Sequence, residues 1–299
     1  GDSIPLKSAF ARSINSIAVR LGQEMGIKNV INTAHQMGIT NELDDAPSLA
    51  LGSSDVRLLD MVNSYCTVAN NGKHVLPSLV TKIVDREGKV VYQENIEEQQ
   101  AIPYKSAFFM QQLLMGGMRE PGGTSQSLWG YVGNAKDTDF GGKTGTTNNH
   151  SDAWFMCVSP KLVAGSWVGG EYRCIHFRTG ALGQGSRTAL PVCGYFMQSV
   201  MNDPNFSRYH GHFDKPKDSD ISYGMYNCSS YVAVKKDTTQ ADSTAVIMED
   251  EVFLDENGNI IQGQESQHKA SKAEDAKPQS EAEPKNSKPK SHNMSLDDF

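Results

Sequence analysis

Residues 152–170 read DAWFMCVSPKLVAGSWVGG, two β-rich runs separated only by Pro160 and Lys161. Valine, phenylalanine and tryptophan suit a pleated surface, and so short a connection lets the runs meet only as antiparallel neighbours. The segments around this pair have helical periodicity. Leu6, Phe10, Ile14, Ile17 and Leu21 recur at spacings of three and four, which predicts an apolar helical stripe. Val30 to Met37 reads as a helix stopped by Gly38, and Ser54 to Ala69 as another ending at Asn70-Asn71-Gly72. Residues 79–92, LVTKIV-DREG-KVVY, carry a hairpin signature; Tyr104 to Met118 and Thr188 to Asn202 read as two further helices. Grouped helices, then hairpin-joined strands, then a closing helix predict an α/β chain of the α+β kind, with a central antiparallel sheet flanked by helices.

The stretch leading into the strand pair is GGKTGTT, Gly141 to Thr147. Its ending resembles a phosphate-binding loop, G-x-x-x-x-G-K-[ST], but Asp137 stands where that loop needs its first glycine. The next element along the chain reads as a strand, whereas a phosphate loop must open a helix whose N-terminus faces the anion. The phosphate reading fails on both counts. The other reading is a K-T-G motif on a strand edge, the substrate wall of a serine acyltransferase. There Lys143 offers a cation to a substrate carboxylate, and the Thr144 and Thr146 hydroxyls can hydrogen-bond it. Gly145 lets a ligand backbone approach, and the Thr146 N–H can point at a developing oxyanion. Thr147 completes the expected substrate-binding stretch Thr144, Gly145, Thr146, Thr147.

Three longer segments carry a resemblance. GGKTGTTNNHSDAWFMCVSPKLVAGSWVGG, LALGSSDVRLLDMVNSYCTVANNGKHVLPSLVTKIVD at 49–85 and SAFARSINSIAVRLGQEMG at 8–26 closely resemble the transpeptidase domain of bifunctional (class A) penicillin-binding proteins. Gly123-Thr124 and the closing TALPVCGYFM helix are smaller echoes, and the resemblance runs in family order from residue 1 to about 205. It implies a β-lactamase/transpeptidase-like fold, with the K-T-G strand at the sheet edge beside an all-helical part. It also implies roles for the S-x-N triplet Ser13-Ile14-Asn15: Ser13 relays a proton toward the leaving group and Asn15 holds the substrate amide. The catalytic set is then Ser13, Asn15 and Lys143. Read without the family, Ser13 and Asn15 are polar residues on a helix surface.

The family's nucleophile is the serine of an S-x-x-K motif that precedes S-x-N. Here S-x-x-K occurs only at Ser266 and Ser287, within a Lys-, Glu- and Ser-rich tail where such matches arise by chance. The expectation is a chain that starts after the nucleophile, being the C-terminal part of a longer protein. The implied reaction cross-links peptidoglycan stem peptides: a serine attacks a D-Ala-D-Ala terminus, D-Ala leaves, and the acyl group passes to an amine. β-Lactams would acylate the same serine. No metal or organic cofactor is implied. The resemblance also implies a parent with an N-terminal membrane anchor and a glycosyltransferase domain, facing the periplasm or cell exterior, with cell-wall synthesis proteins as partners. Two rival classes stand beside it: a D,D-carboxypeptidase or β-lactamase of the same superfamily, and a catalytically incompetent binding fragment.

Composition fits this picture. At 299 residues with 38% apolar and 8% aromatic side chains, the chain can build a sizeable core. A net charge of -7 argues against nucleic acid as a partner. The sequence contains no apolar run of the roughly 18 residues needed to cross a bilayer. Five cysteines without a C-x-x-C pair argue against structural zinc and a dense disulfide framework, leaving room for one disulfide. Apolar residues thin out past Asp214, which predicts a transpeptidase portion over 1–205, a polar linker over 206–250, a candidate hairpin at 251–263 and a disordered tail over 264–299. GALGQGSR, 180–187, resembles a nucleotide loop but lacks the β-α-β frame, so it reads as a connection bordering the site. His210, His212 and Asp214 read as solvated surface, not metal ligands. Asp255, Asn257 and Asn259 place their glycine wrongly for a calcium loop.

Overall fold

A computed structural model describes residues 4–216 together with Ile221, Met225 and Tyr226. The candidate hairpin at 251–263, the tail and Cys228 lie outside the described residues. Helices α1 (Leu6–Ala11), α2 (Asn15–Met25) and α3 (Ile27–Gln36) come first, followed by α4 (Leu58–Ala69). Next are β1 (Lys73–Val75), β2 (Lys82–Val84), β3 (Val90–Gln93) and β4 (Glu98–Gln100). The chain continues through α5 (Tyr104–Arg119), α6 (Trp129–Val132), β5 (Gly141–Thr146), β6 (Asp152–Ser159), β7 (Leu162–Gly169), α7 (Gly180–Gly183) and α8 (Ala189–Asn202).

The two runs that opened the sequence are β6 and β7, antiparallel from Asp152↔Gly169 to Ser159↔Leu162. With β5 they make a three-stranded sheet in the order β5-β6-β7. Side chains on a strand alternate between faces, and β6 uses both. Ala153, Phe155 and Cys157 enter a core with Ala189, Leu190, Cys193 and Met197 of α8. Val158 faces the other way, into a cluster with Val68 of α4 and Leu114 of α5. Two covered faces explain why this strand reads as a nearly continuous apolar run and not as an alternation. Gln111 of α5 ties that second layer together, donating from its buried amide to Val68 O at 2.8 Å. A buried amide left without such a partner would cost about 1–3 kcal/mol.

Most predicted elements stand where periodicity put them, with three differences. The hairpin at 79–92 is β2 and β3, paired antiparallel with an irregularity at Ile83/Val84. The helix expected from Ser54 starts only at Leu58. Ahead of it, Asp60 reaches back to accept from the Thr40 backbone N–H at 3.0 Å and from Thr40 Oγ1 at 2.6 Å. The short pair β1–β4, Lys73↔Gln100 to Val75↔Glu98, had no signal of its own: three-residue strands are too brief to show a period. The third difference, a break in the first apolar stripe, belongs to the site below.

Among the described residues Cys66, Cys157, Cys174 and Cys193 are free thiols. Burial pushes the Cys157 thiol well up and raises the Cys193 thiol, which keeps both protonated. Residues 206–216, the start of the expected polar linker, run alongside 137–139. His210 Nδ1 meets Asp137 at 2.9 Å, His212 Nδ1 meets Asp139 at 3.3 Å, and the Asp139 N–H donates to Gly211 O at 3.0 Å. The two histidines are thus taken up by separate carboxylates.

Candidate active site

Strand β5 carries the K-T-G motif at the edge of its sheet. Among the described residues it pairs only with β6, in the register Lys143↔Met156, Thr144↔Phe155, Gly145↔Trp154 and Thr146↔Ala153. Helix α5 crosses it at backbone contact distance. A methyl group on Gly117 would stand 2.6 Å from Gly142 O, and one on Gly141 2.8 Å from Leu114 Cβ. Glycine at both positions lets helix and strand approach this closely.

The second wall comes from the break in the first stripe. Helix α1 ends at Ala11 and α2 begins at Asn15, so the single helical run expected over Leu6 to Leu21 is in fact two helices. The turn between them is a Schellman cap. The Ile14 N–H donates to Ala9 O at 3.0 Å and the Ser13 N–H to Phe10 O at 3.1 Å. Such a cap needs its penultimate residue in the left-handed region, a place usually taken by glycine. Ser13 occupies it with φ 56°. Apolar periodicity passes straight through Ile14, so only the S-x-N triplet itself marked the spot. Ser13 is thus a capping-turn residue, while Asn15 is the first residue of helix α2.

The two walls meet. Lys143 Nζ donates to Ser13 Oγ at 2.8 Å and to Thr144 O at 2.9 Å. The Phe10 ring lies 5.9 Å from the ammonium. No carboxylate pairs with Lys143 among the described residues. Desolvation pulls the ammonium down to about 8. A half-buried cation with no carboxylate partner among the described residues has the charge and the donors to meet an anion. Asn15, half-buried, keeps its amide free of hydrogen bonds to the other described residues.

Thr144 Oγ1 lies 2.7 Å from Thr124 Oγ1. Thr146 is exposed, and its hydroxyl accepts from the Gly185 N–H at 3.0 Å. The GALGQGSR connection therefore borders the strand, as read from sequence. Gly185 has no room for a side chain there, because a methyl group would stand 2.5 Å from Trp154 O and 2.7 Å from Gly145 O. Thr147, grouped with the substrate-binding residues, is placed elsewhere. Its hydroxyl accepts from the Asp152 N–H at 2.9 Å and lies 3.1 Å from Ser151 Oγ, inside the β5–β6 turn. Thr124 and Gly185 are the site neighbours that sequence reasoning left out of its residue set, although Gly123-Thr124 had stood out as a fragment of the resemblance.

An antiparallel sheet between helical layers, with K-T-G on its edge strand against an S-x-N turn, defines the class of serine acyltransferase folds. Residues 1–161 match the family Transpeptidase, described as the penicillin binding protein transpeptidase domain, and the chain belongs to that family. Among curated proteins it is similar to penicillin-binding protein 2D of Bacillus subtilis, 34% identical over 167 residues, 56% of this chain and 24% of that protein. Penicillin-binding protein 1B of Haemophilus influenzae is 34% identical over 183 residues, 61% of this chain and 23% of the relative. The chain thus spans about a quarter of the length of these relatives. Among solved structures, penicillin-binding protein 1A of Haemophilus influenzae has the same fold, with TM-score 0.61 at 23% identity over 67% of this chain and 35% of that one. PonA1 of Mycobacterium tuberculosis, solved with penicillin V, has TM-score 0.56 at 23% identity, covering 71% and 59%.

Proposed function

We propose that this chain forms the substrate-holding part of a peptidoglycan D,D-transpeptidase within a bifunctional cell-wall synthase. The observation that carries the reading is the 2.8 Å hydrogen bond from Lys143 Nζ to Ser13 Oγ, which unites K-T-G and S-x-N in one cleft. In this reading the carboxylate of an acyl-D-Ala-D-Ala peptide docks beside Lys143 and Thr144. The substrate backbone runs along β5 at Gly145, and the Asn15 side chain holds the substrate amide. A serine outside residues 1–299, in an S-x-x-K motif, attacks the carbonyl while the Thr146 N–H faces the developing oxyanion. Ser13 passes a proton to the departing D-Ala nitrogen, and an amine from a second stem peptide then takes the acyl group. β-Lactams occupy the same cleft and acylate the same serine.

The reading assigns 1–205 to the transpeptidase domain and the remainder to an extension. It places the parent protein on the outer face of the cell membrane, held by an anchor and joined to a glycosyltransferase. Among the described residues no helix is long and apolar enough to cross a membrane. The test uses a fluorescent penicillin. This chain should bind it reversibly, lose that binding in Lys143→Ala, and form no adduct that survives denaturation. Stoichiometric covalent labelling would overturn the placement of the nucleophile, and equal binding by Lys143→Ala would overturn the site. In the complete gene product, an added amine acceptor should appear in the product. Free carboxylate alone would make the enzyme a hydrolase.

A further inference from the structure

Thr124 lies between α5 and α6, and it touches both walls of the cleft. Its backbone N–H donates to Ala11 O at 3.0 Å, at the last residue of α1 and two positions before Ser13. Its hydroxyl lies 2.7 Å from the Thr144 hydroxyl on the K-T-G strand. The loop that carries it is fixed from below. The Ser125 N–H donates to Gly117 O at 3.2 Å, and a methyl group on Gly123 would stand 2.4 Å from the same Gly117 oxygen. Thr124 therefore has little freedom to turn elsewhere, and it is half-buried.

We propose that Thr124 is a positioning residue that sets the donor direction of the Thr144 hydroxyl toward a ligand carboxylate. A hydroxyl has one proton and two lone pairs, so a pair of hydroxyls can polarise in either sense. In the ligand-free cleft Thr144 donates to Thr124. When an anion enters beside Lys143, the pair reverses. Thr124 donates to Thr144, and Thr144 turns its proton to the carboxylate. A donor that is itself accepting a hydrogen bond is the stronger donor. Without Thr124, Thr144 must meet the anion unsupported and with its rotor free. The α1 contact is made by the Thr124 backbone, so the hydroxyl can be removed without releasing Ser13.

The inference rests on the proposed carboxylate-binding role of this cleft, and the experiment separates the two. Reversible binding of benzylpenicillin and of its methyl ester is measured for the wild-type chain, Lys143→Ala, Thr124→Val and Thr124→Ser. The bond lost is one between two neutral hydroxyls, worth about 0.5–1.5 kcal/mol, so Thr124→Val should weaken the free acid roughly three- to tenfold. The methyl ester, which presents no anion, should bind Thr124→Val and wild type within about twofold. Thr124→Ser, which keeps the hydroxyl, should restore most of the affinity for the acid. A general packing defect would weaken acid and ester alike, and that outcome overturns the positioning role. Wild-type affinity for the acid in Thr124→Val overturns it too, while leaving the cleft assignment intact. If wild type and Lys143→Ala bind the acid equally, the cleft assignment falls and the inference falls with it.

Discussion

Lys143 and Ser13 are 130 positions apart in sequence, and the lysine Nζ donates to the serine hydroxyl at 2.8 Å. The lysine is half-buried, faces no carboxylate among the described residues, and is pulled down to about 8 by desolvation. Its partly desolvated charge therefore costs stability, a cost that the proposed carboxylate ligand would offset.

Anion binding should follow this charge. A bound carboxylate favours the ammonium, so the pKa of Lys143 rises in the complex. Affinity should be level below about pH 8, where Lys143 is already charged, and fall about tenfold per unit above it until the raised value is reached. Isothermal titration of benzylpenicillin from pH 6 to 10 checks this. A flat profile would remove Lys143 as the anion's partner.

Stability should respond in the opposite direction in Lys143→Met. The folded pKa lies below the ordinary lysine value of 10.5, so the buried charge destabilises the fold below about 8, and the cost fades between 8 and 10.5. Lys143→Met should raise the unfolding midpoint at pH 7, with the gain shrinking toward pH 10. Denaturant titrations at the two pH values measure the difference.

Ser13 pays a steric cost for its left-handed backbone, about 1–2 kcal/mol for a residue with a Cβ. Ser13→Gly and Ser13→Ala both give up the Lys143 hydrogen bond, so the strain relief appears as Ser13→Gly being up to about 1 kcal/mol more stable than Ser13→Ala. Either change removes the hydroxyl, and acyl transfer in the complete gene product should drop. Ser13→Ala should lose the activity without the strain relief. Thermal unfolding beside β-lactam acylation rates separates the two effects.

Gly117→Ala should push α5 off β5. Its methyl group would meet Gly142 O at 2.6 Å, and backbone cannot rotate away as a side chain can. Overpacking of this kind costs about 1–3 kcal/mol. The displaced strand carries Lys143, so ligand affinity should fall with stability.

Asp60→Asn tests the start of α4. Burial pushes the Asp60 carboxyl up, but donors from Thr40 and Arg57 outweigh it and hold it below its ordinary value. Its contribution is present above about pH 3.8 and is lost as pH falls through the lowered folded value. The amide replaces an acceptor with a donor, so the variant should lose about 1–3 kcal/mol at pH 7, with a smaller difference in acid.

Much of this molecule was legible in its residues because local rules decided it. Two apolar runs around Pro160-Lys161 had to pair, and α5 and α8 follow their apolar periods to within a residue or so. Asp137 and the strand after the turn removed the phosphate loop. The break at Ser13 escaped periodicity because a left-handed serine leaves no glycine to read, and Ile14 continues the apolar stripe. Thr124 escaped because its role depends on meeting Thr144 across 20 positions. Thr147 looked like its neighbours in the motif, yet strand geometry ends at Thr146 and the turn claims its hydroxyl.

The separation of the site's parts also bears on how the protein acquires its shape. β5, β6 and β7 succeed one another through short connections, so the sheet can close early and locally. Helix α1 reaches the rest through long-range contacts, as where Ser8 Oγ donates to Glu120 at 2.8 Å across 112 positions. Loop closure over such distances comes at an entropic cost that early structure does not recover. In refolding, the sheet's spectroscopic signal should return first, and ligand-binding capacity should return with the docking of α1, as the last and slowest phase.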